Sequence, residues 1–245
     1  MIEVAEAGDV AVVRLSHGKV NALDLELLER ITATFTELDT AGPDAVVFTG
    51  TGRSFSAGVD LWRILDGGAG YVRAFLPALN AAFLAVFTIG KPVVAAVNGH
   101  AVAGGAILAA ACDERVMADG RGTFGVTELA VGVPFPPTAL EILGHAYGDR
   151  AARRAVLSAT TSGPAETLAA GLVDEVVAAD ILEATALARV RRAADTFRLT
   201  KHELQATVRE RLAHRRPVYD PQVLDLWLRA VADGRIRRYM EAVTR

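Results

Sequence analysis

Residues 91–113 read KPVVAAVNGHAVAGGAILAAACD, and this stretch decides the fold. Val93–Val97 is a short apolar run rich in β-branched residues, which is typical of a buried strand. Asn98-Gly99 is a turn signal. Ala103-Gly104-Gly105 then opens an apolar segment, Ala106–Cys112, that predicts a buried helix. The stretch therefore predicts a strand, a tight turn and a helix that begins at glycine.

The start of such a helix is a candidate binding site for negative charge. The first backbone N–H groups of a helix have no acceptor within the helix, and the helix dipole adds partial positive charge there. Glycine lets a ligand approach the backbone closely. From this stretch alone, two interpretations stay open: an oxyanion site, or close packing of a helix against a sheet.

Composition narrows the class of protein. The 245 residues can bury a large core as one domain with a small appendage. The chain is 51% hydrophobic and 22% charged, which is typical of a well-packed, soluble and often oligomeric protein. The net charge of -3 lacks the basic excess of a general nucleic-acid binder. We therefore expect no nucleic-acid partner.

The sequence gives little indication of a disulfide bond, a metal site or a membrane-spanning segment. Cys112 is the single cysteine and lies in an apolar helix, so we expect it to pack in the core. The His, Asp and Glu spacings suggest no metal site. The N-terminus carries early acidic residues instead of a basic targeting segment. Polar residues at 98–100 divide the apolar run of residues 93–112, so we expect no membrane span and a cytoplasmic protein.

Strand and helix patterns alternate through the first 180 residues. Asp24 is a good N-cap for a helix whose apolar residues recur at helical spacing, and a glycine-rich segment at 67–70 precedes a second helix. From Ile181 the pattern is helical, with breaks expected near Arg216-Pro217 and Asp233-Gly234. The prediction is an α/β core over residues 1–180 with a helical C-terminal extension over residues 181–245.

Four segments, in order and correctly spaced, resemble the crotonase (enoyl-CoA hydratase/isomerase) family. They are Ser54–Leu61 (SFSAGVDL), Val97–Gly105 (VNGHAVAGG), Ala111-Cys112-Asp113, and Ala170–Val177 (AGLVDEVV). The resemblance implies a crotonase-like spiral of ββα units, with C-terminal helices that cover an acyl pocket and join subunits. It also implies a homotrimer or a dimer of trimers. The implied substrate is an acyl-CoA thioester, with no cofactor beyond the CoA of the substrate itself.

The resemblance also assigns residues to the site. Family members hold the thioester oxygen with two backbone N–H groups, which map here to Val59 and Gly104. Fixed backbone donors need no reorganisation as charge develops, and removing one such donor typically costs about 3 kcal/mol of barrier. The resemblance implies that the following residues contact substrate: Asn21, Ala57, Gly58, Asp60, Leu61 and Ile107.

The acid–base residues distinguish the reactions within the family. The hydratase branch uses two glutamates, and the first position is Ile107 here, which cannot transfer a proton. The second position is Glu128, in a stretch that looks like the single-glutamate isomerase branch. One carboxylate can move a proton within one substrate, and apolar neighbours would raise its pKa toward the working pH. We therefore expect delta-3 to delta-2 enoyl-CoA isomerisation, although an isolated glutamate near a turn is usually a surface residue.

Other interpretations stay open. The family includes hydratases, hydrolases and carbon–carbon bond-cleaving enzymes, and a non-catalytic acyl-CoA binding protein would keep the fold with Glu128 idle. Ser56 lacks the Gly-x-Ser-x-Gly setting of a hydrolase nucleophile, and we expect a structural role for His100. A basic cluster could meet CoA phosphates or could be a solvated helix face. This cluster consists of Arg189, Arg191, Arg192, Arg198 and Lys201.

Overall fold

The computed structural model describes residues 1–190 and 194–243, and in this range it contains two sheets surrounded by helices. The large sheet has the strand order β1-β2-β3-β5-β7-β9 and the small sheet the order β4-β6-β8. The strands are β1 Ile2–Ala7, β2 Val10–Leu15, β3 Ala45–Gly50, β4 Ser54–Ser56, β5 Val93–Val97, β6 His100–Val102, β7 Glu114–Ala118, β8 Phe124–Gly125 and β9 Glu175–Val177. The helices are α1 Leu25–Thr40, α2 Leu61–Thr88, α3 Gly104–Ala111, α4 Glu128–Val131, α5 Pro137–Ser158, α6 Pro164–Ala169, α7 Leu182–Arg189, α8 Ala194–Ala232 and α9 Arg235–Val243, with a 3-10 turn at Ala179–Ile181.

Three successive ββα units make up the core. In each of β3-β4-α2, β5-β6-α3 and β7-β8-α4, the first strand joins the large sheet and the second joins the small sheet. The strands of adjacent units are parallel, with Val46 opposite Val93 and Ala101 opposite Phe124. This repeated step confirms the predicted spiral of ββα units.

The inner strands of the large sheet, such as β3 and β5, are buried on both faces. Alternate residues of a strand point to opposite faces. In β3, Val46 and Phe48 join the main core, whereas Val47 faces the other side. That side is covered by α7, which buries Leu182 and Ala186 against it. The chain after residue 181 thus completes the core as well as extending it, and the division at residue 180 stays a prediction.

Several elements differ from the sequence expectation. Strand β1 was not expected, because it is an edge strand with mostly exposed residues and no clear apolar pattern. Helix α2 runs through the glycine-rich segment and leaves helical geometry only at Gly68 (φ 58°).

The break expected near Pro217 was wrong, since α8 runs on through Pro217 and Pro221. Packing holds α8 on both sides of these prolines. Arg211 and Arg215 both pair with the buried Glu141 of α5 before the prolines, and Trp227 is buried after them. The expected break at Asp233-Gly234 is confirmed, because α8 ends at Ala232 and α9 begins at Arg235.

Helix α2 is long and apolar enough to cross a membrane by length and composition alone. Half of its most apolar window is buried inside the protein, and the core helix of a soluble protein passes the same test. The absence of a membrane span stays a prediction.

Candidate active site

A cavity of about 380 Å³ lies between the ends of the small sheet and the C-terminal helices. Its volume falls in the range of small-molecule sites. Its walls are mostly apolar. The residues that line it are Val20, Ala22, Ala57, Val59, Asp60, Leu61, Trp62, Val102, Ala103, Thr127, Glu128, Val131, Val133, Trp227, Tyr239, Met240 and Val243.

The backbone N–H of Val59 is free to face this cavity. Val59 forms an isolated parallel bridge with Leu23, in which Leu23 uses both of its backbone groups. The N–H of Leu23 donates to Gly58 (2.8 Å), and its carbonyl accepts from Asp60 (3.0 Å). In this pattern the N–H of Val59 points away from Leu23, and within the described residues it has no hydrogen-bond acceptor.

The second predicted donor, the N–H of Gly104, is the first of helix α3 and likewise has no acceptor within the part of the chain that the structure describes. Ala103, just before it, adopts φ 51° and ψ -122°, a conformation that L residues rarely adopt. The N–H of Ala103 donates to the carbonyl of Gly125 (2.8 Å), and this bond connects the turn to strand β8. Backbone strain at Ala103 therefore sets the direction of the N–H that follows.

Glu128 is the buried carboxyl group of the cavity. It opens helix α4 and is only 7% exposed, and its Oε2 atom has no hydrogen-bond partner among the described residues. Burial raises the pKa of Glu128 to about 7, and hydrogen bonds from the backbone of Glu128 and Thr127 oppose that rise. A carboxyl group with this pKa can both take and return a proton near neutral pH.

The structure brings most of the predicted site residues together. Ala57, Val59, Asp60, Leu61 and Glu128 all line the cavity. Gly58 and Gly104 are not among the lining residues, although each directly adjoins one, Val59 and Ala103 respectively. The Asp60 carboxylate accepts from the N–H of Arg63 (3.0 Å) and so caps α2 at the edge of the cavity.

Asn21 and Ile107 lie elsewhere. The Asn21 amide is buried and donates to the carbonyls of Ser54 (3.0 Å) and Phe55 (3.2 Å), so it holds the loop whose other members, Val20 and Ala22, line the cavity. Ile107 is 1% exposed and belongs to the main core. Their assignment as substrate contacts stays a prediction, and the structure places both outside the cavity lining.

The family resemblance implied that C-terminal helices cover an acyl pocket, but the residues of that wall were not predicted. Trp227 of α8 and Tyr239, Met240 and Val243 of α9 line the cavity opposite the small sheet. The indole N–H of Trp227 donates to the carbonyl of Pro134 (3.2 Å), which fixes α8 beside the segment that follows Glu128. The aromatic residues near the C-terminus were a signal, but no local pattern showed which face they would contact.

The weaker candidates have structural partners. The buried Ser56 hydroxyl donates to Asn21 (2.7 Å), and His100 pairs with Thr123 (3.0 Å). Burial raises the pKa of the Cys112 thiol to about 12, as expected for a core residue. No cluster of three or more His, Cys, Asp or Glu side chains that could hold a metal occurs in residues 1–190 and 194–243, and the absence of a metal stays a prediction.

The basic cluster does not form one surface. Arg189 pairs with Glu114 and Glu175, Arg198 pairs with Asp39, and Lys201 is buried beside Asp113. Arg191 and Arg192 lie outside the described residues. The described members therefore hold helices in place rather than present a common charged face.

Comparison with known proteins identifies the family of this chain. Residues 5–226 match the family model described as enoyl-CoA hydratase/isomerase. The chain belongs to the enoyl-CoA hydratase/isomerase family. This confirms the predicted family, which is a family of enzymes, and the crotonase fold.

Individual relatives carry both isomerase and hydratase names. The chain is 33% identical over 183 residues to enoyl-CoA delta isomerase 1, mitochondrial, of Mus musculus, covering 74% of this chain and 63% of that protein. It is 39% identical over 215 residues to a putative enoyl-CoA hydratase of Thermus thermophilus, covering 84% of each. The crystal structure of human mitochondrial delta3-delta2-enoyl-CoA isomerase superimposes with a TM-score of 0.88 at 26% identity, covering 99% of this chain and 96% of that one.

Proposed function

We propose that this protein is an enoyl-CoA isomerase that moves a double bond from the 3,4 to the 2,3 position of an acyl-CoA thioester. The observation that carries the proposal is Glu128, a buried carboxyl group in an apolar cavity whose Oε2 has no partner within the described residues. Similarity to proteins named enoyl-CoA isomerases supports the same reaction.

The first step removes a proton from the α carbon of the substrate. The thioester oxygen accepts hydrogen bonds from the N–H groups of Val59 and Gly104. The Glu128 carboxylate takes the α proton, and the electron pair of the broken C–H bond moves into a dienolate with its charge on the thioester oxygen. The two backbone donors stabilise this charge without reorganising, because the fold already holds them in place.

The second step returns the same proton to the γ carbon. Protonated Glu128 gives up its proton there, the double bond forms between the α and β carbons, and the carboxylate is restored. A pKa near 7 suits both halves of this cycle, because the group is neither too weak to take the proton nor too basic to release it. The apolar walls also keep water from the dienolate.

Hydration would need a second group to position and activate water. Among the described lining residues, the carboxyl groups are Asp60 and Glu128, and the Asp60 carboxylate is already engaged as the cap of α2. The position that a hydratase would fill with its other glutamate is Ile107, which is apolar and buried. Hydratase activity remains the second candidate, since the relative from Thermus thermophilus is named a putative hydratase.

A non-catalytic acyl-CoA binding protein would have no use for a buried carboxyl group. Such a protein could carry Glu128 on its surface in an ion pair, whereas here the side chain is buried and lines the cavity. The cytoplasmic location, the lack of a separate cofactor and assembly as a homotrimer or dimer of trimers are further proposals, which rest on the sequence and its family resemblance.

The test is an assay of the purified protein with a 3-enoyl-CoA and a 2-enoyl-CoA, in which isomerisation and hydration are followed separately. We expect isomerisation without hydration. Glu128→Gln should lower turnover by about 10²- to 10⁴-fold, the usual contribution of a general base, while the affinity for the CoA ester is kept. The matched control is Glu203→Gln, an exposed glutamate on α8. Efficient hydration, or turnover that survives in Glu128→Gln, would contradict the proposal.

A further inference from the structure

Helix α4, which carries Glu128, is too short to be stable without contacts from the rest of the protein. Helix α4 has four residues, far fewer than an isolated helix needs for stability. It ends at Gly132, which adopts a left-handed conformation with φ 87°. The orientation of Glu128 therefore depends on whatever holds the two ends of α4.

Arg235 contacts the C-terminal end of α4. Its Nη1 donates to the carbonyl of Gly132 (3.2 Å), and its aliphatic stem passes so close that a Cβ atom on Gly132 would lie 3.3 Å from its Cδ. Its Nε donates to both carboxylate oxygens of Asp233, at 3.1 and 2.8 Å. Asp233 also accepts from the backbone N–H of Arg235 (3.1 Å). The guanidinium group thus bonds both to Asp233, in the turn before α9, and to Gly132, at the C-terminal end of α4.

The same helix closes the cavity. Arg235, Tyr239 and Val243 are spaced four residues apart, which places them along one face of α9. Tyr239 and Val243 line the cavity, as does Met240, while Ile236 is fully buried and anchors the helix. One face of α9 therefore reaches both the end of α4 and the cavity that contains Glu128.

We propose that Arg235 is a positioning residue that joins α9 to α4, so that closure of the cavity and alignment of Glu128 depend on the same side chain. The part of this inference that concerns catalysis by Glu128 rests on the proposed function. Arg235 and Asp233 lie after residue 226, where the match to the family model ends.

Loss of this contact has a specific expected effect. Helix α4 would shift and water would enter beside Glu128, because one of its two ends would be released. Better solvation favours the carboxylate, so the pKa of Glu128 would fall from about 7 toward its ordinary value. The chemical step would slow because Glu128 is misplaced, while most of the cavity that holds the acyl chain would remain.

The experiment compares three variants of the full-length protein. Arg235→Met keeps an unbranched apolar stem and removes the donors of the guanidinium group. Arg235→Lys returns one cationic donor. Arg238→Met is the matched control, because Arg238 donates to the carbonyl of Asp233 (2.9 Å) in the same turn but does not bond to α4. The readouts are kcat, KM and the pH dependence of isomerisation, together with hydrogen exchange of the backbone amides in residues 128–133.

For Arg235→Met we expect kcat to fall by about 10- to 100-fold, as for a displaced catalytic group, with a much smaller change in KM. The acidic limb of its pH profile should move to lower pH, and amides 128–133 should exchange faster. Arg235→Lys should recover part of the loss, and Arg238→Met should behave as the wild type. If Arg235→Met and Arg238→Met behave alike in turnover, pH profile and exchange, the inference is wrong.

Failure of the proposed function would look different. A wild-type protein that isomerises no enoyl-CoA would contradict the isomerase, and hydrogen exchange alone would then decide whether Arg235 holds α4. If Arg235→Met does not fold, Asp233→Asn replaces it, since this variant keeps Arg235 and removes the charge that holds its Nε. The same comparison with Arg238→Met applies.

Discussion

Gly58 lies directly against the start of helix α3, beside the amide nitrogen of Gly104. A Cβ atom built on Gly58 would come within 3.2 Å of that nitrogen and within 2.5 Å of the carbonyl oxygen of Val102. Gly58 also has φ 82°, which L side chains rarely adopt. The segments that supply the two proposed oxyanion donors, Val59 and Gly104, are therefore neighbours only because residue 58 has no side chain.

Gly58→Ala should disrupt this contact. The added methyl group must push the turn at Val102 away from the Val59 loop, so we expect a turnover loss of at least 10²-fold, comparable to loss of one oxyanion donor. Stability should fall by about 1–3 kcal/mol from backbone strain, plus the cost of the clash. The control is Gly52→Ala, which has a similar φ of 65° but nothing within 4 Å of the new Cβ. Turnover and urea unfolding are measured for both variants. Equal turnover in the two would contradict the assignment of Val59 and Gly104 as oxyanion donors.

The rate of isomerisation should depend on the ionisation of Glu128. The carboxylate is the active base, and its pKa is about 7, so kcat/KM should rise with pH up to that value and level off above it. Below the pKa the rate should fall about tenfold per pH unit, because the fraction of carboxylate falls by that factor. A profile of kcat/KM between pH 5 and pH 9 checks this, and a flat profile down to pH 5 would show that Glu128 is not the group that titrates.

Glu128 should also destabilise the fold at neutral pH. Its pKa is higher in the folded protein (about 7) than the ordinary value of 4.5, so between these values the folded state binds more protons than the unfolded state. The free energy of unfolding therefore falls as pH rises from about 4.5 to about 7 and is constant above that.

Glu128→Gln removes this dependence. Relative to wild type, the variant should gain about 3 kcal/mol of stability between pH 4.5 and pH 8, since each unit of pKa shift corresponds to about 1.4 kcal/mol. Urea unfolding of both proteins at the two pH values measures the difference, with Glu203→Gln as the control. If the stability of Glu128→Gln relative to wild type is the same at both pH values, Glu128 is not desolvated in the folded protein.

Ala103→Gly should relieve strain at the turn before Gly104. Ala103 adopts φ 51° and ψ -122°, and such a conformation costs about 1–3 kcal/mol in a residue with a side chain. Glycine adopts it freely but loses about 0.5–1 kcal/mol through the entropy of the unfolded chain. We expect a net gain of about 1 kcal/mol in thermal or urea unfolding. Ala101→Gly, in the buried strand β6, should instead lose stability, and a loss in both variants would argue against strain at Ala103.

Local patterns predicted the core of the fold well. The run Val93–Val97, the turn at Asn98-Gly99 and the helix after Gly104 were predicted from residue type alone and are present as β5, the turn into β6, and α3. Asp24 caps α1 as expected, with its carboxylate accepting from the N–H of Leu27 (2.8 Å). These features depend on backbone preferences and apolar periodicity, which act over a few residues.

Features that depend on distant packing were predicted less well. Pro217 was expected to end a helix, but α8 continues because Glu141 and the buried Trp227 hold it from outside. There a tertiary contact outweighed the local signal. The buried amide of Asn21 donates to the carbonyls of Ser54 and Phe55, and its contact with substrate stays a prediction.

The sequence by itself determined an α/β core followed by helices, because alternating strand and helix patterns arise from local backbone preferences and apolar periodicity. The order of its motifs determined the resemblance to the family, and that resemblance implied the ββα spiral, the roles of Val59, Gly104 and Glu128, and the meaning of an apolar residue at Ile107. Only the tertiary structure decided that Glu128 is buried in the cavity and that Tyr239 and Trp227 form the facing wall. Burial and the pKa that follows from it arise when segments more than 90 residues apart pack together, as Trp227 and Pro134 do. No local pattern contains that information.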